Sequence, residues 1–219
     1  MRLVQKIRLT SYQLKWIAII TMVIDHTGAV LFPECMLMRE IGRVSFPIFC
    51  FLLVEGFFHT HDLYQYMIRL GTFAVISEIP YDLAFRETIL EFTHQNVFFT
   101  LLLGVLMMYV LQMAGEWPTK VVEVLLVMWA AVCLKTDYSF KGILLILVFY
   151  LFRQNKRLKL AGGILWNFLW KGNLQRYGAI AMFPIALYNG ERGKGIKYFF
   201  YIFYPMHLFL LFLMKRLIG

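Results

Sequence analysis

Apolar runs of roughly membrane-crossing length alternate with short polar breaks along nearly the whole chain. Five runs are clear: Leu14–Phe32, Ile41–Phe58, Tyr66–Phe85, Val97–Ala114 and Lys197–Met214. Four more are shorter or irregular: Val121–Leu134, Phe140–Phe152, Leu160–Lys171 and Arg176–Tyr188. A helical span needs about 20 mainly apolar residues, so the pattern predicts about nine spans. Helices are expected because backbone facing lipid must satisfy its own hydrogen bonds. The alternation of barrel strands is missing. The expected fold class is therefore all-α, a polytopic transmembrane helix bundle, with residues 1–219 as one integral-membrane domain.

Composition points the same way. The chain is 60% hydrophobic and only 16% charged, against about 45–50% and about 25% in soluble domains. The formal charge of +9 does not indicate nucleic acid, because the basic residues fall in gaps between apolar runs and not on one amphipathic face. In such gaps they set topology. Nine spans with a cytoplasmic N-terminus put Arg2, Lys6, Arg8, Lys15, Arg69 and Lys120 inside, with both dense loops, Arg153–Lys159 and Glu191–Lys197. The C-terminus is then outside. The basic N-terminus and first apolar run resemble a signal peptide. That run is of span length, contains Asp25 and His26 and lacks a small-x-small site, so it reads as a retained first span. Cys35, Cys50 and Cys133 show no CxxC or metal-type spacing, and neither a disulfide framework nor a metal is expected.

The polar residues inside the spans carry the candidate chemistry. A charge at the centre of a span costs roughly 2.5–3.5 kcal/mol on insertion scales. Asp25 and His26 nevertheless sit in the outer half of span one, Arg39 and Arg43 start span two, and Glu55 and His59 end it. Glu78 and Asp82 flank Pro80 in span three, His94-Gln95-Asn96 precedes span four, and His207 lies within span nine. Arg39 with Arg43, Glu55 with His59, and Glu78 with Asp82 are each four apart and share a helix face. Asp25 and His26 diverge by about 100°, so Glu78 or Asp82 is the expected carboxylate partner of His26. Structural ion pairing is the alternative for each pair, since buried charges must be paired in any case. The convergence of most of these groups toward the outer side argues for a functional cavity.

Several long motifs resemble the TraX family of bacterial membrane proteins, named for a conjugation-plasmid protein needed for N-terminal acetylation of pilin. They are Leu14-Lys15-Trp16-Ile17-Ala18 leading to Ile24-Asp25-His26-Thr27-Gly28, Ile41-Gly42-Arg43-Val44-Ser45-Phe46-Pro47, Val54-Glu55-Gly56-Phe57-Phe58-His59 and Ser77-Glu78-Ile79-Pro80-Tyr81-Asp82. Asn96-Val97-Phe98-Phe99-Thr100, Leu187-Tyr188-Asn189-Gly190 and Tyr204-Pro205-Met206-His207 continue the resemblance. The first two spans are also similar to those of a wider group of membrane acyltransferases, in which His26 falls at a catalytic polar position.

The resemblance implies an acetyltransferase in the bacterial cytoplasmic membrane, with acetyl-CoA as co-substrate. The acceptor would be an amine or hydroxyl of an extracytoplasmic protein or glycan, with membrane lipid and no nucleic acid as the remaining partners. His26 is then the expected base, beside Asp25, with Glu78 or Asp82 orienting it. Arg43 and Asn96 would hold the oxyanion or the acceptor, and His207 would line the cavity. Arg157, Asn189, Arg192 and Lys194 would meet the CoA phosphates. Two other readings use the same residues: a proton-coupled carrier and a non-catalytic membrane chaperone for pilin-like proteins. The topology is directly testable. Single cysteines placed in the Arg153–Lys159 loop should react with impermeant thiol reagent only from the cytoplasmic side, and those in the Arg86–Asn96 loop only from outside. Outside labelling of Arg153–Lys159 would reverse the orientation.

Overall fold

The computed structural model describes residues 8–113, 115–170, 174–195 and 197–218. Arg2, Lys6 and Lys171 lie outside them. Regular structure among the described residues is helical, apart from isolated bridges Leu9–Tyr188 and Gln95–Thr136. The helices are α1 Ser11–Val30, α2 Met36–Gly42, α3 Ser45–His59, α4 Leu63–Arg86 and α5 Val97–Met113, followed by α6 Trp117–Cys133, α7 Ser139–Leu151, α8 Lys156–Leu169, α9 Met182–Ala186 and α10 Lys197–Ile218. A 3₁₀ segment, Gln175–Ala181, leads into α9.

Local chemistry sets the helix ends. Thr10 and Gln13 form a capping box at the start of α1, Asp62 caps α4 by accepting from the Gln65 N–H, and Asn155 does the same for α8 at Leu158. Pro80 lies inside α4 and Pro205 inside α10. Each removes one intrahelical hydrogen bond and favours a bend.

Successive helices run back and forth between two ends of the bundle. At the end holding the start of α1, here called proximal, the Leu9 N–H donates to Leu187 O, Ser11 pairs with Tyr188, and Arg153 binds Glu55. At the distal end the Gln95 N–H donates to Lys135 O, and Lys215 meets Glu87 at 2.5 Å. Eight of the expected spans correspond to helices. The ninth, Arg176–Tyr188, does not. It is a seven-residue 3₁₀ stretch joined to the five-residue α9, where Gly178 and Pro184 interrupt a regular α-helix. The second span is also broken, by a turn at Arg43-Val44 between α2 and α3.

Two helical stretches are long and apolar enough to cross a membrane, Met36–His59 and Tyr198–Ile218, with mean hydropathies of 1.7 and 1.4. Val97–Met113 and Ser139–Leu151 are apolar but shorter. The bundle also leaves large apolar side chains on its outside, including Val75, Ile76 and Ile79 on α4, Leu125, Leu126 and Trp129 on α6, and Met206, Leu210 and Leu213 on α10. Exposed apolar surface this extensive marks a face made to contact something other than water.

The core centres on α3, whose Ile48, Cys50, Phe51 and Val54 are essentially inaccessible and pack with Val105 and Met108 of α5 and Ile143, Ile146 and Phe149 of α7. Helices α1 and α2 approach closely through two glycines. A Cβ on Gly42 would overlap the Asp25 side chain, and one on Gly28 would lie 2.7 Å from Met38 Cβ. Gly42→Ala should therefore destabilise the protein by about 1–3 kcal/mol, the usual range for overpacking. Gly115→Ala, with nothing within 4 Å, should be close to neutral. Thermal unfolding of both variants in detergent checks this.

Candidate functional site

Asp25 and His26 are neighbours in sequence but serve different faces of α1. Asp25 is buried and turns toward α2. Arg43 donates to its Oδ2 through Nη2, and Arg39 Nη1 sits 3.1 Å from Oδ1 while donating to the Asp25 carbonyl at 3.0 Å. Arg43 also donates through Nε to Arg39 O at 3.3 Å. One carboxylate thus holds two guanidinium groups from the broken second span.

His26 turns toward α4 and α10. Its Nδ1 lies 2.7 Å from His207 Nε2, and His207 Nδ1 lies 3.0 Å from Phe203 O. Phe85 and Tyr204 meet the His26 ring edge-on, at 5.4 and 6.1 Å between centroids. His207 is therefore the partner of His26, in place of the expected Glu78 or Asp82.

Those two carboxylates have other partners. Glu78 Oε1 accepts from the Asn96 backbone N–H at 2.9 Å and from the Asn96 side-chain amide. Asp82 Oδ2 accepts from the Glu91 N–H at 2.7 Å. Together they tie the loop after α4 back onto that helix. Asn96 has no accessible surface, and its amide also donates to Ala74 O while its Oδ1 accepts from the Phe98 N–H. With its donors used in this way Asn96 caps α5, and none is left for an oxyanion.

Asp137 is a member of the distal cluster that sequence reasoning missed. It precedes Tyr138, whose ring stacks on Phe46 of α3 at 3.4 Å and 2°. That stack brings the α6–α7 loop to the start of α3, beside the arginines. Asp137 is an exposed residue whose carboxyl lies against the protein beside the arginines. The resulting loss of solvation pushes its carboxyl up to about 6, against the pull of Arg43 and Arg39 and with a push from Asp25.

A cavity of about 490 Å³ opens at the proximal end, within the ~300–1,000 Å³ typical of small-molecule sites. Lys15, Arg69, Arg192 and Lys194 line it, with the carboxylates Glu55 and Asp62 and with His59 and His61 from the α3–α4 turn. Aromatic walls come from Tyr66, Phe98, Phe200, Tyr201 and Tyr204. Arg192 and Lys194 are where the sequence expectation put them. Asn189 and Arg157 are not in the lining: Asn189 bonds Glu191 within its own turn, and Arg157 lies on the exposed first turn of α8. Lys15 and Arg69 carried only a topological role in the sequence. A detectable signal was the helical spacing of Lys15, Ile19, Met22 and His26. The first three line the cavity, and His26 continues their stripe one turn further in.

The match of the whole chain to known proteins fits this architecture. The family model described as "TraX protein" matches residues 10–215. The chain belongs to the TraX family. Among curated relatives, the "Probable fimbrial assembly protein FimC, serogroup H1" of Dichelobacter nodosus is 29% identical over 238 residues, covering 94% of this chain and 96% of that protein. The "Uncharacterized protein RP591" of Rickettsia prowazekii (strain Madrid E) is 35% identical over 97 residues, covering 43% of this chain and 36% of the relative. No solved structure matches the TraX chain.

Asp137 gives this site a pH signature. Its raised pKa means that the folded protein keeps the proton to higher pH than the unfolded chain, whose carboxyl titrates near the ordinary 3.8. Its contribution to stability is therefore present below about pH 4 and is lost as pH rises to about 6. Asp137→Asn should remove that decline, so that the variant gains on the parent toward pH 7. Unfolding curves in detergent between pH 4 and 7 measure the difference.

Proposed function

We propose that this protein is an acetyl-CoA-dependent O- or N-acetyltransferase of the bacterial cytoplasmic membrane. In this reading its eight helical passes and the irregular Arg176–Tyr188 segment form one bundle with the proximal end in the cytoplasm. The apolar exterior and the basic Arg153–Lys159 and Glu191–Lys197 loops support that placement. The acceptor is an extracytoplasmic amine or hydroxyl. The fimbrial description of the Dichelobacter nodosus relative favours a pilin N-terminus.

One observation carries the reading. The cavity has a cationic mouth, aromatic walls and an α1 stripe that leads from Lys15 toward His26. Acetyl-CoA has the matching polarity, with anionic phosphates at one end and an uncharged thioester at the other. The phosphates rest on Arg192, Lys194, Lys15 and Arg69, and the arm passes the aromatic walls toward Tyr204 and His26. The acceptor approaches from the distal side and its nucleophile attacks the thioester carbonyl. His26 takes the proton that the nucleophile releases, the new N–C or O–C bond forms, and the C–S bond breaks. The thiolate then recovers the proton to leave as CoA–SH. Arg43, held one face round α1 by Asp25, positions the acceptor or the developing oxyanion.

A carrier built on the same residues receives less support. Glu78, Asp82 and Asp25 are bound to Asn96, Glu91 and the arginines, and Glu55, the buried carboxylate that lines the cavity, is held by Arg153.

Purified protein incubated with labelled acetyl-CoA and pilin-type N-terminal peptides or glycan acceptors should transfer label to one of them. His26→Ala should lower turnover by about 10²–10⁴-fold, the usual worth of a general base, with CoA binding intact. Near-normal transfer by that variant would remove His26 from the mechanism. Neutralising Arg192 and Lys194 together should raise KM for acetyl-CoA, weaken the salt dependence of its binding and leave KM for the acceptor unchanged. Unchanged acetyl-CoA binding in the double variant would reduce those charges to a topological role.

A further inference from the structure

The contact between His26 and His207 determines more than proximity. Their rings lie 8° from parallel with centroids 5.0 Å apart, while the facing nitrogens are 2.7 Å apart. That N–N distance is too short for face-to-face stacking, so the rings meet edge to edge and nearly in one plane. One nitrogen must donate and the other accept.

The next contact decides which. His207 Nδ1 lies 3.0 Å from Phe203 O. A carbonyl oxygen only accepts, so His207 Nδ1 must carry a proton. In a neutral ring His207 Nε2 is then a bare lone pair. His26 must therefore donate from Nδ1, which leaves its own Nε2 unprotonated. The chain runs in one direction, from His26 Nδ1–H to His207 Nε2 and from His207 Nδ1–H to the backbone of α10. Reversing it would point two lone pairs at each other across Phe203 O and His207 Nδ1.

We infer that His207 is a positioning residue that locks His26 in the Nδ1–H tautomer, so that Nε2 is the atom that accepts the proton during acyl transfer. The balance closes without another group. The nucleophile's proton goes to His26 Nε2, and the imidazolium is stabilised by its Nδ1–H bond to the neutral His207. The same Nε2 proton then passes to the departing thiolate. The pair supplies by a second imidazole what a carboxylate supplies in the better-known acyl-transfer triads. Asp25 is turned to the arginines and cannot serve. Phe203 stacks on His207 at 5.3 Å and 10°, holding the second ring in plane. Pro205, two residues before it, leaves the Tyr201 carbonyl without its usual helical partner.

Only the kinetic part of this inference rests on the acetyltransferase reading. Nitrogen NMR of the protein with isotope-labelled histidine, assigned with His26→Gln, reads the tautomer directly. His26 should show a protonated Nδ1 and a bare Nε2, and His207→Leu should convert it to a mixture of tautomers. In turnover, His207→Gln can keep an acceptor oxygen near the place of Nε2 and should retain most of kcat. His207→Leu should lower kcat by about 10²-fold with KM for acetyl-CoA unchanged. A protonated Nε2 on wild-type His26, or equal kcat in His207→Leu and wild type, overturns the inference. Absence of any transfer by the wild type would sink the proposed function instead, and the NMR result would still decide the tautomer.

Discussion

The pairing of one buried carboxylate with two guanidinium groups is the interaction on which the arrangement of the helices around the candidate site depends. Asp25 holds Arg39 and Arg43 at a place where α2 and α1 touch through Gly42 and Gly28. Two cations left there without their anion would cost several kcal/mol, because removing one partner of a buried ion group exposes the full desolvation penalty of the others. The pairing therefore fixes the rotation of α1 about its own axis. His26 follows Asp25 by one residue and about 100°, so anchoring Asp25 on the α2 side aims His26 at α10. The same anchor lies at the junction of α2 and α3, where Arg39 and Arg43, four residues apart on one face, both reach Asp25.

Charge is partitioned between the two ends of the bundle, and each end solves a different problem. At the distal end the buried carboxylates have internal partners: Asp25 with the arginines, Glu78 with Asn96, Asp82 with the Glu91 backbone. These bonds determine where loops return and how helices rotate. At the proximal end Arg153 pairs with Glu55, but Lys15, Arg192 and Lys194 face an open cavity. Cations collected around a concavity focus an attractive field for an anion. In the proposed reaction the two ends meet at His26, one turn beyond the cavity wall and one residue beyond the ion cluster.

The histidine pair shows how a reactive nitrogen can be selected without a titrating partner. A neutral imidazole offers one donor and one acceptor, and the backbone carbonyl of Phe203 consumes the donor of His207. Polarity then passes to His26 through a single hydrogen bond. Aromatic rings of Phe85 and Tyr204 flank His26 edge-on and leave the ring partly accessible.

Properties that depend on local pattern were legible in the residues alone. Apolar run lengths located eight of the helices, because the need to satisfy backbone groups internally acts within each segment. Arg39 and Arg43 were expected on one face because four-residue spacing dictates it, and Arg192 and Lys194 were expected at a basic mouth because their loop is dense in charge. The divergence of Asp25 from His26 also followed from helix geometry. What the sequence did not contain was partner choice across the bundle. Glu78 and Asp82 looked available to His26, but backbone N–H groups of the following loop reach them first. Asn96 looked like a free donor and is a buried cap. His207, Asp137 and Lys15 acquire their neighbours only when α10, the α6–α7 loop and the cavity come together. Periodicity constrains which residues share a face of one helix, whereas a hydrogen bond between helices depends on rotation, depth and register set by all the others. The sequence therefore determined the elements and their polar faces, and only the tertiary packing decided which of those polar groups meet.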